Sequence, residues 1–328
     1  MTATRTADVK RHRQVATTPR AGPPRRPGSR AAEQRVRLGL ALGGGGARGL
    51  AHIGVLLALR EAGIAVGAIA GASMGAIVGG LFAADPDRRV DPARLAELLA
   101  RAPANPWPLG SWGQRARGVL EIANYLEHDL FGLGRESGAE LEKQLDAMAG
   151  HRTIEELSIP FVATATDVIT GEVVLLRSGN LARALHASAA LPGVYTPVRR
   201  GSRWLTDGGV VSNLPVRATR TLGADVVVGV SVTAPLPPTM PRTGVGLLIR
   251  LNALTANRLQ AEELDEADVR IVVPIPPEIG IFDFDQPERL IDYGRAAASR
   301  ALPEIEQAAL RAAPKPEAGP AASSSSRC

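Results

Sequence analysis

The chain has 328 residues, 45% of them hydrophobic, which is enough for a sizeable core in one large α/β domain or two small ones. Its formal charge of +5 is local: residues 1–37 hold 10 of the 38 Lys and Arg and 2 of the 33 Asp and Glu, so the other 28 bases and 31 acids leave a net −3. That division excludes a basic nucleic-acid-binding body, and a single cysteine, Cys328 at the last position, excludes an intrachain disulfide.

Residues 1–35 place Pro19, Pro23, Pro24 and Pro27 among scattered arginines without hydrophobic periodicity. They read as a disordered basic tail, whose candidate partner is an anionic membrane surface. No apolar leader follows the early arginines, so a cytoplasmic location is expected. Residues 36–42 alternate and then run apolar, predicting a strand; Gly43 to Gly46 follow, and residues 48–62 carry the apolar spacing of a helix. Residues 64–70 predict a second buried strand and residues 74–83 a second helix, stopped at Asp85-Pro86. The uncharged run 64–84 is long enough for a membrane span, but its five glycines suit a strand, a tight turn and a buried helix better.

Between residues 86 and 136 the pattern loosens around Pro103, Pro106 and Pro108, and a lid or insertion over a site is expected. Residues 136–149 are helical, 161–166 and 172–177 are strands, and 181–189 form a short helix closed by Pro192. A β-like run at 203–206 delivers Asp207-Gly208-Gly209. Two more β-rich runs, 225–232 and 269–273, are separated by a helix from about 245 to 264, and a last helix follows Pro287. Residues 313–328 turn to Pro, Ala and Ser and are expected to be disordered. Strands alternating with helices predict an α/β domain over 36–312, with a mainly parallel sheet flanked on both faces.

Gly71-Ala72-Ser73-Met74-Gly75 matches G-x-S-x-G between an apolar run and a helix. There a sharp strand-to-helix turn lifts the serine hydroxyl outward, and the glycines make room for the tight backbone. Gly44-Gly45-Gly46-Ala47-Arg48-Gly49 matches the dinucleotide fingerprint G-x-G-x-x-G. A dinucleotide site also needs an acid at the end of the second strand for the ribose, and 64–72 has none; Glu61 lies too early, in the helix. Without a Gly-Lys-Ser/Thr ending the loop is no phosphate cradle either, and no cofactor or metal is expected. Bare backbone N–H groups near a helix start suit a developing oxyanion instead. In a parallel sheet the ends of the first two strands share an edge, so the glycine loop would face Ser73 across one crevice, offering the Gly45 and Gly46 amides, with Arg48 as a loop-bracing or surface residue rather than a catalytic one.

The serine needs a base. Of His12, His52, His128, His151 and His186, none follows residue 186, which excludes the α/β-hydrolase order of nucleophile, acid and histidine. His52 sits among Leu50, Ile53 and Leu56 and reads as a core residue. His186 could approach the serine only if its short helix points inward; the alternative is a carboxylate, Asp207 before its Gly-Gly turn or Asp167 after the strand 161–166, which spacing separates only slightly.

In combination, the glycine loop Gly44 to Gly49, the elbow Gly71 to Gly75 and Asp207-Gly208-Gly209, in that order, resemble the patatin-like phospholipases, including the catalytic domain of neuropathy target esterase. Ala187-Ser188-Ala189-Ala190-Leu191-Pro192 is similar to the family's block before its aspartate. The resemblance implies a three-layer α/β/α fold and a Ser73–Asp207 dyad acting on acyl esters of phospholipids or lysophospholipids, with Gly44 to Gly46 as the oxyanion loop. A non-enzymatic lipid-sensing module on the same fold is the alternative, and the intact Ser73 and Asp207 argue against it.

Overall fold

β1 (Leu38–Leu42) is buried throughout and pairs in parallel with β2 (Ala68–Ala72) on one edge and with β7 (Val226–Ser231) on the other. β3 (Phe161–Asp167) extends this parallel block beyond β2, and β8 (Val269–Val272) extends it beyond β7. The other three of the eight strands are antiparallel: β4 (Val173–Leu176) and β6 (Arg203–Asp207) pair with β3, and β5 (Val198–Arg200) with β6. The computed structural model describes residues 36–87, 90–100, 138–192, 194–236, 238–241 and 244–313. The tail expected over 1–35, nearly all of the one expected over 313–328 and most of the lid expected over 86–136 lie outside them.

Alternation along the strands sends side chains to two layers. Leu40, Leu42, Ile69, Phe161, Val228 and Val230 join a large core with α1 (Ala51–Glu61), α2 (Met74–Ala84), α3 (Pro92–Ala100), α4 (Ala139–Ala149), α5 (Leu181–Ser188) and α8 (Pro287–Ala312). Ala41, Ala70, Val162 and Val227 point the other way, toward α6 (Val216–Arg220) and the end of α7 (Gly244–Leu264). The fold is therefore α/β, a mixed and mostly parallel sheet with helices on both faces. α1 and α8 touch backbone to backbone: a Cβ on Gly54 would strike the Ile291 carbonyl, and one on Gly294 the Ala51 carbonyl.

Three expectations shift. The second strand begins at Ala68, not Ile64, because the Ile64 N–H closes the end of α1 on the Leu59 carbonyl and pairing with β1 starts only where the Gly67 N–H reaches Leu38. The helix after the glycine loop opens as a 3₁₀ turn, Gly46–Leu50, before α1. Part of the expected lid, α3, packs Leu95, Ala96 and Leu99 into the large core. The uncharged run 64–84 folds as β2, an elbow and α2, and among the described residues no helix is long and apolar enough to cross a membrane.

Candidate active site

Ser73 stands alone between β2 and α2 with φ 51° and ψ −122°, a left-handed conformation that costs a non-glycine residue about 1–3 kcal/mol. Its neighbours hold it there. A Cβ on Gly71 would lie 2.5 Å from Ala76 Cα, and one on Gly75 would strike the Leu42 carbonyl, so β1, β2 and α2 can meet this closely only through glycine. The Ser73 N–H donates to the buried Ser188 Oγ at 3.0 Å, while its carbonyl accepts from Ala76 and Ile77 in the first turn of α2.

Asp207 is the last residue of β6. Thr164 of β3 pairs with Ala72, and the next residue, Ala165, pairs with Asp207. β4 occupies the opposite edge of β3 over the same residues, so β2 and β6 run head to head along one edge and meet at Ser73 and Asp207. Ser73 Oγ donates to Asp207 Oδ2 at 2.8 Å, and the Gly209 N–H donates to Oδ1 at 2.7 Å. Thr166 and Thr206 fix the strand end through hydrogen bonds to the Asp207 and Ala190 carbonyls. Gly208 lies against Thr164, where a Cβ would clash with its carbonyl. Burial pushes the Asp207 carboxyl up from 3.8 to about 6, although the Gly209 and Ser73 hydrogen bonds pull it down.

The glycine loop closes the site on the third side. A Cβ on Gly44 would come within 3.2 Å of Ser73 Cβ. The Gly44 N–H itself donates to the Asn213 carbonyl at 2.9 Å, which takes it out of the expected trio of oxyanion donors. Among the described residues, the Gly45 and Gly46 N–H groups are committed to no carbonyl outside their own turn. Gly46, at φ 58°, packs against Ile281, whose carbonyl accepts from Ala47 at 2.8 Å. Arg48 is buried and donates through Nε to the Ile279 carbonyl at 2.7 Å, bracing the segment that lies over the loop. Gly49 makes room for Met74.

The competing candidates sit elsewhere. Asp167 Oδ1 accepts from the Ile169 N–H, with Arg203 3.7 Å from its other oxygen. His52 is fully buried; its Nε2 lies 2.8 Å from the Gly43 carbonyl, and burial pushes its pKa down to about 4, so it is a neutral donor at pH 7. His186 faces Glu142 at 3.2 Å and His151 faces Asp146 at 2.6 Å; His12 and His128 lie outside the described residues.

A family model described as patatin-like phospholipase matches residues 40–220, more than half of the sequence. The chain belongs to the patatin-like phospholipase family. An uncharacterized NTE family protein of Mycobacterium tuberculosis is 40% identical over 199 residues, 60% of this chain and 49% of that protein. A second from the same organism is 33% identical over 291 residues, 81% of this chain and 46% of that protein. Lysophospholipase nte1 of Emericella nidulans is 34% identical over 195 residues, 60% of this chain and 12% of that protein. The chain thus spans about half the length, or less, of these curated relatives. Among solved structures, human GIVD cytosolic phospholipase A2 matches with a TM-score of 0.45 at 13% identity, over 85% of this chain and 60% of that one.

Several residues that support this patatin-like site escape sequence reasoning. Gln260 on α7, beyond the stretch matched to the family, is fully buried; its Nε2 donates to the Gly44 and Asn213 carbonyls at 3.2 and 3.4 Å, and its Oε1 accepts from Ser231 at 2.6 Å. Glu263, one turn on, accepts from Ser212 Oγ and the Leu214 N–H, both at 2.5 Å. Together they clamp residues 212–214 behind the Asp-Gly-Gly turn. The available signal was spacing: Gln260 lies four positions before the buried Leu264, on the face of α7 that turns inward.

Proposed function

We propose that the chain is a serine-dependent lipid acyl hydrolase, cleaving carboxylic esters of phospholipids or lysophospholipids with Ser73 as nucleophile and Asp207 as its base. The observation that carries this reading is the 2.8 Å hydrogen bond from an elbow serine to a buried carboxylate whose pKa is raised to about 6. An ordinary aspartate, near 3.8, is a feeble base. Lifted to about 6 it remains ionised at pH 7 yet holds a proton far better, which is what a general base requires.

In this mechanism Ser73 Oγ attacks the ester carbonyl carbon as its proton passes to Asp207 Oδ2. The carbonyl oxygen becomes an oxyanion and accepts from the Gly45 and Gly46 N–H groups. Collapse expels the alkoxide, which takes the proton back from Asp207 and leaves as an alcohol, and Ser73 carries the acyl group. Water then attacks the acyl-enzyme, again losing its proton to Asp207, and collapse releases the fatty acid as Ser73 Oγ takes that proton back. The Gly209 N–H holds the idle carboxylate oxygen, so Oδ2 keeps its aim through both half-reactions.

Labelling by a fluorophosphonate probe, followed by a hydrolysis screen over head groups and chain lengths, tests the reading. Covalent label on Ser73 that disappears in Ser73→Ala, together with turnover of a lysophospholipid or phospholipid, is the expected result. Undiminished labelling of Ser73→Ala would remove the nucleophile.

A further inference from the structure

Two hairpins extend past the site. β3 continues three residues beyond Thr164, the partner of Ala72, so the start of the β3–β4 turn at Asp167 stands about 10 Å above the level of Ala72 at ~3.3 Å per residue. β6 enters from the same side, which places the β5–β6 turn at Gly201-Ser202 beside it. Both tips lie at the end of the sheet toward which β2 delivers Ser73.

The chemistry of these tips is unusual for turns. The β3–β4 turn is closed by Asp167 and Gly171: the Gly171 N–H donates to the Asp167 carbonyl and the Ile169 N–H to its carboxylate. Neither Val168 nor Ile169 contributes a side chain to that closure, yet they are 50% and 75% exposed. Trp204, 41% exposed, joins them, since its carbonyl accepts from the Val168 N–H at 2.8 Å. One exposed apolar residue is ordinary, but a contiguous set rimmed by cations marks a contact surface. The rim is Arg199, whose guanidinium lies 5.8 Å from the Trp204 ring, and the exposed Arg203; the exposed Arg200 instead donates to the Ser178 carbonyl at 2.8 Å. Of the acids nearby, Asp167 is buried beside Arg203, Glu172 closes the hairpin, and Glu142 and Asp146 line a cavity together with Arg199 and Trp204.

We infer that these two hairpin tips form the surface by which the protein docks on an anionic lipid bilayer. Tryptophan and arginine are the side chains that settle at a membrane interface, an exposed Val-Ile pair is suited to the acyl boundary, and Arg199 and Arg203 complement anionic head groups. Docked in this way, the tips hold the Ser73 end of the sheet toward the bilayer, the orientation a lipid substrate requires. The inference rests on the lipid substrate proposed above for its purpose, though docking can be measured without turnover.

The test uses the full chain carrying Ser73→Ala, so that vesicles stay intact, and co-sedimentation with phosphatidylglycerol–phosphatidylcholine vesicles. Adding Ile169→Asp or Trp204→Ala should lower the partition coefficient by about tenfold. Val272→Asp, which puts the same charge on an exposed apolar residue of β8 at the far edge of the sheet, should leave it unchanged. The basic tail is present in every variant and cannot account for a difference among them. With Ser73 intact, Ile169→Asp should hydrolyse a soluble short-chain ester at the parent rate. Equal binding by Ile169→Asp and its parent, an equal loss in Val272→Asp, or a change in Ile169→Asp confined to self-association would overturn the inference. Absence of Ser73-dependent turnover would instead sink the hydrolase reading and leave the docking result legible.

Discussion

Asp207 accepts a hydrogen bond from Ser73 on one carboxylate oxygen and from the Gly209 amide on the other. The carboxylate is thus held at both oxygens while being withdrawn from water, and these two circumstances act in opposite directions on its proton affinity. Withdrawal from water wins.

Replacing Asp207 by Asn keeps the shape and removes the proton acceptor. Turnover of a soluble ester should fall by roughly 10²–10⁴, the usual worth of general-base help. Stability should move the other way. A carboxyl whose pKa rises from 3.8 to about 6 on folding destabilises the folded state at neutral pH, by roughly 3 kcal/mol if the whole shift applies. A melting temperature for Asp207→Asn below that of the parent at pH 7.5 would contradict this account.

With Asp207 as the proposed base, which must be ionised to act, kcat/KM for a neutral ester should rise about tenfold per pH unit below about 6 and level off above it. A rate profile flat down to pH 5 would show that the carboxylate titrates lower or does not act. His52→Gln should leave the limb in place, because His52 touches Gly43 and neither Ser73 nor Asp207.

Stability against pH offers a second, independent reading. Between about 4 and 6 the folded state binds a proton at Asp207 that the unfolded state has lost, so this group makes stability fall as pH rises. His52 does the opposite: its pKa falls to about 4 on folding, so its contribution is present above the ordinary 6.5 and is lost as pH drops toward 4. Burial lowers His186 in the same direction. The Asp207 and His52 slopes oppose each other in the parent, so Asp207→Asn should make the melting temperature climb more steeply from pH 4.5 to 6 than it does in the parent. Parallel curves for the two proteins would refute the assignment.

Gln260 holds the Gly44 carbonyl, and that carbonyl shares a rigid peptide plane with the Gly45 N–H. Gln260→Leu frees the plane to rotate and should lower kcat about tenfold to a hundredfold, somewhat less than loss of an oxyanion donor outright, with KM little changed. The rate of fluorophosphonate inactivation should fall in step. If KM rose while kcat held, Gln260 would be shaping the substrate cavity rather than aiming a donor.

The sequence disclosed what depends on local backbone chemistry. Gly71, Ser73 and Gly75 announce an elbow because only that residue pattern tolerates the turn, and the glycine loop is legible for the same reason. The Ser73–Asp207 contact joins residues 134 positions apart and depends on pairing along β3, which periodicity does not report. The Gly44 N–H looked as free as its neighbours until Asn213, another distant residue, claimed it. Antiparallel β5, three residues long, has too short an alternation to register against the loop around it.

β2 and β6 abut on β3 as two rails meet on one sleeper. The separation of Ser73 from Asp207 is therefore set by the spacing of Thr164 and Ala165, adjacent residues of a third strand, and not by the length of chain that links β2 to β3 or β3 to β6. Those connections can lengthen, shorten or acquire whole subdomains while the serine and the aspartate stay in register. A change in the linking chain therefore leaves the Ser73–Asp207 geometry as it stands.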